Sequence, residues 1–216
     1  MPQKYLELWL VRHGETDWNA GGRIQGNSDV PLNAVGERQA RALHRRLSVL
    51  GDSFDMVHAS DLTRAYRTAS IALPQRTITS DGRLREVNFG EFEGVIGEEL
   101  GQERRAQLRV WFRGPYHQAV PGGESRQMVR ERARAWLSEL PKTGKVIAFS
   151  HGGTISILIQ SLLGDPSEQD WRDDKAWSVR LDNTSISKLW LSPTHSVLKT
   201  LNDSAHLEAL SHSDYD

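Results

Sequence analysis

The sequence predicts an α/β protein, a three-layer α/β/α sandwich with a mostly parallel sheet, and three observations carry that expectation. Apolar runs of strand length alternate with longer segments of helical period along most of the chain. Two of these runs, over Leu6–Val11 and Val146–Phe149, are apolar at nearly every position, as strands covered on both faces are. Each ends in a polar cluster: Arg12-His13-Gly14-Glu15-Thr16 after the first, Ser150-His151-Gly152-Gly153 after the second. Open α/β sheets bind ligands just beyond the carboxyl ends of their strands.

The elements follow in order. Residues 17–32 read as loop, punctuated by Asp17, Asn19, Gly21, Gly22, Gly26, Asn27 and Pro31. A helix opens at Asn33, a favourable N-cap, runs through Ala40, Leu43, Leu47 and Leu50, and closes at Gly51. Phe54–Ala59 is a strand. The helix after Ser60-Asp61 carries Arg64 in its first turn, packs through Ala65, Ala69 and Ala72, and stops at Pro74. Arg76–Thr79 is a weaker strand, and residues 80–97 show no period. Leu100, Leu108, Trp111 and Phe112 outline a partly amphipathic helix, followed by loop over 114–123. Val129, Ala133, Trp136, Leu137 and Leu140 mark a clearer helix between Glu124 and Pro141, with Ser125 as its N-cap. Thr154–Leu163 is apolar nearly all round and should be a buried helix. Ser185–Leu191 and Val197–Leu201 are closing strands. Residues 1–206 are expected to form a single domain and 207–216 a loosely held tail.

Composition narrows the function. The chain has 216 residues and a formal net charge of −1, so no broad basic field invites nucleic acid or an anionic membrane. Absence of cysteine excludes disulfides, thiol catalysis and thiolate metal sites. No apolar run approaches the ~20 residues that span a bilayer, and Met1-Pro2-Gln3-Lys4 leads into the first strand without a signal-peptide core. A cytoplasmic protein is expected, with no prediction of its oligomeric state. The histidines form no His-x-x-x-His or HExxH pattern, and arginines beside the candidate ligands would repel a cation. Neither metal nor cofactor is expected.

If the strands run parallel, Arg12, His13, Arg64 and His151 emerge on one edge of the sheet. The helices after Ser60 and His151 point their N-termini there, adding N–H donors and partial positive charge. Taken singly, each residue has a plainer reading. His13 could bond only to backbone, Arg12 and Arg64 could be ordinary ion-pair partners, and Asn19, Gln25, Gly26 and His151 could be turn residues. Together they favour a site for a phosphoryl group, whose equatorial oxygens such a cluster would stabilise.

These residues belong to a longer ordered series. It continues with Asn19, Gln25-Gly26, Asp29, Pro31-Leu32, Gly36 and Gln39-Ala40, then Ser60-Asp61-Leu62, Arg64-Ala65 and Thr68-Ala69. Leu84-Arg85-Glu86, Gly90, Glu93-Gly94, Pro121-Gly122-Gly123-Glu124-Ser125 and Ser150-His151-Gly152-Gly153 complete it, with Asn183-Thr184-Ser185 as a weaker extension. The series resembles the histidine phosphatase superfamily, the cofactor-dependent phosphoglycerate mutase-like family.

The resemblance implies the phosphoglycerate mutase-like fold and a role for each matched residue. His13 would be the nucleophile that becomes a phosphohistidine, which requires a neutral imidazole with one nitrogen free. Arg12, Arg64 and His151 would form the phosphate pocket, with Asn19, Gln25, Gly26 and Gly152 contributing contacts. Glu86 would be the general acid that protonates the leaving oxygen and then activates water. Read from the residues alone, Glu15, Glu91, Glu93 and Glu124 stand as alternatives to it, Glu15 also as a residue that orients its loop. In the mutases the acid is followed by an Arg and then a Tyr that grip phosphoglycerate. Here the run is Glu86-Val87-Asn88-Phe89. That departure, with Gly90-Glu91-Phe92-Glu93-Gly94 and the short path to Pro121, looks more like the phosphatase branch. The expectation is a metal-independent, acid-type phosphomonoesterase acting on a small phosphorylated metabolite. A mutase and a catalytically silent phosphate-binding module are the alternatives. Residues 87–123 are expected to cap the substrate, and their Trp111, Phe112, Tyr116 and His117 either line the pocket or pack the helix.

Overall fold

The structure, a computed structural model, describes residues 4–51, 53–164 and 179–208. Six strands form one sheet: β1 (Leu6–Arg12), β2 (Met56–Ala59), β3 (Thr79–Ser80), β4 (Gly144–Ser150), β5 (Ile186–Leu191) and β6 (Ser196–Asp203). Their order in space is β3-β2-β4-β1-β5-β6. The first four are mutually parallel. β5 runs antiparallel to β1, and β6 returns antiparallel to β5 through the short connection 192–195.

Alternation along β1 builds the layers. Leu6, Leu8 and Leu10 face Ala133, Trp136, Ile155, Leu158 and Ile159, so α5 (Arg126–Ser138) and α6 (Gly152–Leu163) cover one side of the sheet. Trp9 and Val11 face Leu43, Leu47, Ala69 and Ala72, so α2 (Ala34–Val49) and α3 (Thr63–Ala72) cover the other. The small alanines on α3 let that helix lie close to the strands. Three layers result, as the sequence predicts. A third apolar cluster joins Val87, Phe92, Leu100, Leu108, Trp111 and Val120 to Val129 on α5 and Ile157 on α6. The segment 87–123 is therefore seated on the α5–α6 side, through two 3-10 turns (Gly90–Phe92 and Gly97–Glu99) and α4 (Gln102–Arg113).

Several boundaries differ from expectation, each for a local reason. The expected loop 17–32 begins with a short helix, α1 (Asp17–Ala20). Thr16 accepts from the Asn19 amide while the Asn19 side chain accepts from the Thr16 amide, so residues that read as turn formers build a capping box. β3 is displaced from Arg76–Thr79 to Thr79–Ser80, because the Arg76 amide is tied back to the Leu73 carbonyl at 3.1 Å in a turn. α6 starts at Gly152 rather than Thr154, and α5 ends at Ser138 rather than Leu140. The expected tail falls mostly on 209–216, outside the described residues. Among the described residues no helix is long and apolar enough to cross a membrane.

Register sets up the site. Arg12 pairs with Ser150 across β1 and β4, and Ala59 pairs with Phe149 across β2 and β4. Three parallel strands thus end together, and His13, Ser60 and His151 leave the sheet at the same edge.

Candidate active site

His13 is held from several directions. Its amide donates to the Ser150 carbonyl at 3.0 Å, and its carbonyl accepts from the Thr184 amide at 3.2 Å and Asn183 Nδ2 at 3.0 Å. Gly14 allows the turn that follows: a Cβ there would lie 2.6 Å from the Gly36 carbonyl oxygen at the start of α2. Its amide donates to Thr68 Oγ1 at 2.9 Å, and that hydroxyl donates to the Arg64 carbonyl at 2.7 Å. The His13 ring is buried, with Nδ1 2.7 Å from the Gly14 carbonyl oxygen. A carbonyl only accepts, so this contact assigns the proton to Nδ1 and leaves the lone pair on Nε2. Burial first, then the Arg64 and Arg12 guanidinium groups, push the His13 pKa well below its ordinary 6.5. The imidazole is neutral at neutral pH.

The cations lie beside it, Arg64 fully buried and Arg12 partly so. Arg64, at the second position of α3, is fully buried and donates through Nη1 to the Ser28 carbonyl at 2.8 Å and through Nη2 to the Gly26 carbonyl at 2.7 Å. Arg12 donates through Nη1 to the Leu181 carbonyl at 2.5 Å. Burial lowers both guanidinium pKa values, opposed most by Glu86, yet both groups keep their charge near neutrality. His151, whose ring centroid lies 5.0 Å from that of His13, bonds through Nε2 to Ser60 Oγ at 2.9 Å. Its pKa is also driven well below 6.5, by burial and then by Arg64. Nε of Arg12, Nε of Arg64 and Nδ1 of His151 are buried with no hydrogen-bond partner in the protein. Buried polar atoms are rarely left so; here they converge beside one histidine, where anion oxygens would satisfy them.

Glu86 completes the arrangement. Its carboxylate accepts from the amides of Gly153 and Thr154, both at 3.1 Å, and of Val87 at 2.9 Å. The first two lie in the opening turn of α6, where the helix dipole favours negative charge. A Cβ on Gly153 would come within 2.6 Å of Glu86 Oε1, so glycine is what lets the carboxylate approach the helix end.

The side chains meet in a cleft of about 210 Å³. Its lining includes Arg12, His13, Asn19, Gln25, Gly26, Arg64 and Glu86 from the predicted set. His151 and Gly152 stand just behind that lining, His151 against His13 and Gly152 against the Arg12 guanidinium. Gln25 Oε1 accepts from Thr16 Oγ1 at 3.0 Å, and Asn19 Oδ1 receives Asn183 Nδ2 at 3.3 Å, so both also brace the loop. The alternative carboxylates are occupied elsewhere. Glu15 accepts from Asn33 Nδ2 at 2.9 Å, Glu93 binds the amides of Asn27 and Ser28, and Glu124 binds Arg132. Of these and Glu91, none is in the lining with Glu86.

The lining also includes Arg23, Ile24, Phe89 and Phe112, of which the sequence singled out only Phe112 for the pocket. Trp111 instead packs inward and donates to the Glu124 carbonyl, and Tyr116 stacks on Arg126. Ser125 caps α5, accepting from the Met128 amide at 3.2 Å. Among the described residues no three His, Asp or Glu side chains cluster as metal ligands do, and two guanidinium groups beside both imidazoles make the cleft hostile to a cation.

Two neutral imidazoles, one fully buried and one partly buried guanidinium group and a carboxylate thus gather where the parallel strands of an α/β sheet end. The chain belongs to the histidine phosphatase superfamily, branch 1, whose family model matches residues 8–204. It is 39% identical over 215 residues to a Citrobacter koseri protein named "Probable phosphoglycerate mutase GpmB", covering 94% of this chain and 96% of that one. Among solved structures it is similar to the alpha-ribazole phosphatase of Shigella flexneri (32% identity, TM-score 0.76, 92% of this chain and 96% of that one). It is also similar to the phosphoserine phosphatase of Entamoeba histolytica (27% identity, TM-score 0.76, 94% and 99%).

Proposed function

We propose that the protein is a metal-independent phosphomonoesterase that works through a phosphohistidine at His13. The observation that carries this reading is the orientation of one ring: Nδ1–H is engaged by the Gly14 carbonyl, which leaves Nε2 as the nucleophile beside Arg12 and Arg64. The Nε2 lone pair attacks phosphorus and the bond to the leaving oxygen breaks. That oxygen takes the proton of the Glu86 carboxyl. A water then attacks the phosphohistidine and gives a proton to the Glu86 carboxylate, the P–N bond breaks, and Nε2 regains its lone pair. The two guanidinium groups balance the charge on the equatorial oxygens throughout, and neutral His151 offers them a hydrogen bond through its unpartnered Nδ1. A nucleophile that stays neutral below its ordinary pKa supports the acid-type assignment.

The names of the sequence relatives favour a second reading, a phosphoglycerate mutase. Two residues argue for the phosphatase. Where the mutase pattern has its gripping Arg, this chain has Val87, fully buried in the apolar cluster under 87–123, and Phe89 lines the cleft in place of a further polar group. Without the mutase pattern's Arg at position 87 to hold a substrate carboxylate, a dephosphorylated product leaves and water takes its place. We take the substrate to be a small phosphorylated metabolite, residues 87–123 to be its cap, and a cysteine-free chain to work in the cytoplasm.

The test measures inorganic phosphate release against 3- to 2-phosphoglycerate interconversion, with and without a bisphosphate primer. Hydrolysis is expected to dominate, and primer-dependent isomerisation would reverse the order. His13→Ala should abolish turnover of p-nitrophenyl phosphate and the acid-labile phosphoenzyme with it. Retention of near-wild-type turnover would remove the nucleophile assignment. Silence of the wild-type protein, with tight binding of phosphate esters, would leave a binding module.

A further inference from the structure

We infer that Arg132, clamped to Glu124, is a positioning residue for Glu86 and sets how well that carboxyl transfers its proton. The inference rests on the reading of Glu86 as the acid–base group. Arg132 lies on α5, outside the cleft, and touches no lining side chain's reactive atoms. Its guanidinium grips the chain that carries Glu86: Nη1 donates to the carbonyls of Arg83 at 2.7 Å and Arg85 at 2.8 Å, and Nη2 to the carbonyl of Glu86 itself at 2.9 Å. Nε and Nη2 also donate to the two carboxylate oxygens of Glu124, at 2.8 and 3.0 Å.

Glu124 carries the grip past Glu86. Its Oε2 accepts from the Asn88 amide at 2.9 Å, its own amide donates to the Asn88 carbonyl at 2.8 Å, and its carbonyl accepts from Trp111 Nε1 at 2.8 Å. The pair is therefore bonded to backbone on both sides of Glu86, from Arg83 to Asn88. It is largely sequestered, with Arg132 and Glu124 side chains 18% and 16% exposed. A planar fork meeting three carbonyls and a bidentate carboxylate is a geometry that Lys cannot reproduce.

Glu86 is thereby fixed at two points by two helices. α6 holds the carboxylate through the amides of Gly153 and Thr154, and α5 holds the backbone through Arg132. Thr154 Oγ1 also donates to the Arg85 carbonyl at 2.6 Å and Ser150 Oγ to the Leu84 carbonyl at 2.7 Å, but among the described residues only Arg132 bonds the carbonyl of Glu86 itself and reaches on through Glu124 to Asn88. Proton transfer to a leaving oxygen demands heavy-atom distances near hydrogen-bond length, so the second contact bears on the chemistry rather than only on the loop.

The role has a signature that simple loop fastening lacks. An alkyl phosphate expels a strongly basic alkoxide and needs the proton from Glu86 as the P–O bond breaks. p-Nitrophenolate leaves without it. Misplacing Glu86 should therefore damage alkyl phosphates selectively. It should also slow the water step, which needs Glu86 as base, whatever the substrate.

Arg132→Met in the full chain is the test, with glycerol 2-phosphate and p-nitrophenyl phosphate as probes. We expect kcat/KM for the alkyl ester to fall roughly a hundredfold, the scale of an ångström's misplacement. The burst rate of nitrophenol release should change less than about threefold, on the Brønsted argument that a good leaving group gains little from an acid. Steady-state turnover should then trail the burst, and phosphohistidine should accumulate on quenching. Glu124→Gln should show the same pattern more weakly, and it carries the comparison if Arg132→Met fails to fold by circular dichroism. Equal losses of kcat/KM on both esters, or no loss of it on either, would overturn the inference. Failure of the underlying reading looks different: the wild-type protein itself would then yield no phosphohistidine.

Discussion

His13 and Phe112 line the same cleft but are carried by very different backbone. The amide and carbonyl of His13 are bonded to Ser150, Thr184 and Asn183, on two other segments of the sheet edge, and its ring is 2% exposed. Phe112 sits in the last turn of a helix reached through 3-10 turns, 51% exposed, its ring against Trp111 at 4.9 Å and Phe89 at 6.4 Å. The groups proposed for phosphoryl transfer stand on strand ends whose geometry is over-determined. The groups proposed to meet the rest of the substrate stand on α4, on the turns that lead to it and on the loop at Arg23-Ile24. On the proposed reading, chemistry and selectivity are carried by different parts of the chain.

One carboxylate joins the two parts. Glu93, in the 87–123 segment, accepts from the amides of Asn27 at 2.8 Å and Ser28 at 2.9 Å and from the Phe89 amide at 3.1 Å. The loop it holds delivers the Gly26 and Ser28 carbonyls to Arg64. Gly26 has φ +54°, and a Cβ there would lie 2.1 Å from Glu93 Oε1, so the junction needs glycine on both counts.

The largest effect expected from breaking this division lies on the floor. Arg64→Met should lower kcat/KM by about a thousandfold, on the scale of removing one electrostatic contact to a transition-state oxygen. Stability should barely follow. Two carbonyls lose a donor, but a fully buried cation whose burial already lowers its pKa is also removed, and these changes oppose. Thermal melts are expected within a few degrees of wild type, and added inorganic phosphate should raise the melting temperature of wild type but not of the variant. A variant that loses stability in step with activity would show Arg64 to be chiefly structural.

The next effect is one of protonation. A positive neighbour disfavours the imidazolium form, so Arg12 and Arg64 add to burial in lowering the His13 pKa. Long-range proton–nitrogen spectra should show His13 as the neutral Nδ1–H tautomer while pH falls through 6.5, the point at which an ordinary histidine is half charged. In Arg64→Met the transition should move up towards that value. An imidazolium pattern already present at pH 6.5 in the wild type would contradict both the tautomer and the electrostatic account.

The same division explains what could be read from the sequence. The floor was legible because its residues follow buried apolar strands: Leu6–Val11 announces the edge where His13 emerges, and Val146–Phe149 announces His151. Parallel pairing did the rest, bringing Arg12 opposite Ser150. Local chemistry that competes with period was harder to read. Asn19 resembles a turn residue and closes a capping box with Thr16, and Gly152-Gly153, which precede the apolar stretch, make the helix end that receives Glu86. Glu86 itself could not be separated from Glu15, Glu91, Glu93 and Glu124 by sequence, since only tertiary packing determines which carboxylate faces the cleft. Arg23, Ile24 and Phe89 carry no periodic signal at all. Arg132 looked like an ordinary polar position on an amphipathic helix, and its long-range carbonyl partners are invisible until the segment 83–88 is laid across α5.

The smallest expected effect tests the roof. Phe112 contributes an exposed aromatic face to the cleft and is absent from the buried apolar cluster beneath 87–123. Phe112→Ala should therefore leave stability within about 0.5 kcal/mol, as substitutions at exposed sites usually do. It should leave kcat for p-nitrophenyl phosphate near wild type, because neither His13 nor Glu86 bonds to it. KM for phosphomonoesters with bulky apolar leaving groups should rise about three- to tenfold, the fraction of a buried aromatic face that a half-open wall can supply. KM for compact polar esters should stay where it is. The ratio of the two KM changes is the informative quantity: if it is unity, Phe112 does not sort substrates, and selectivity must reside in Arg23, Ile24 and Phe89. If kcat falls on every ester instead, the roof shapes the proton-transfer geometry as the floor does, and the separation between the two regions fails at this residue.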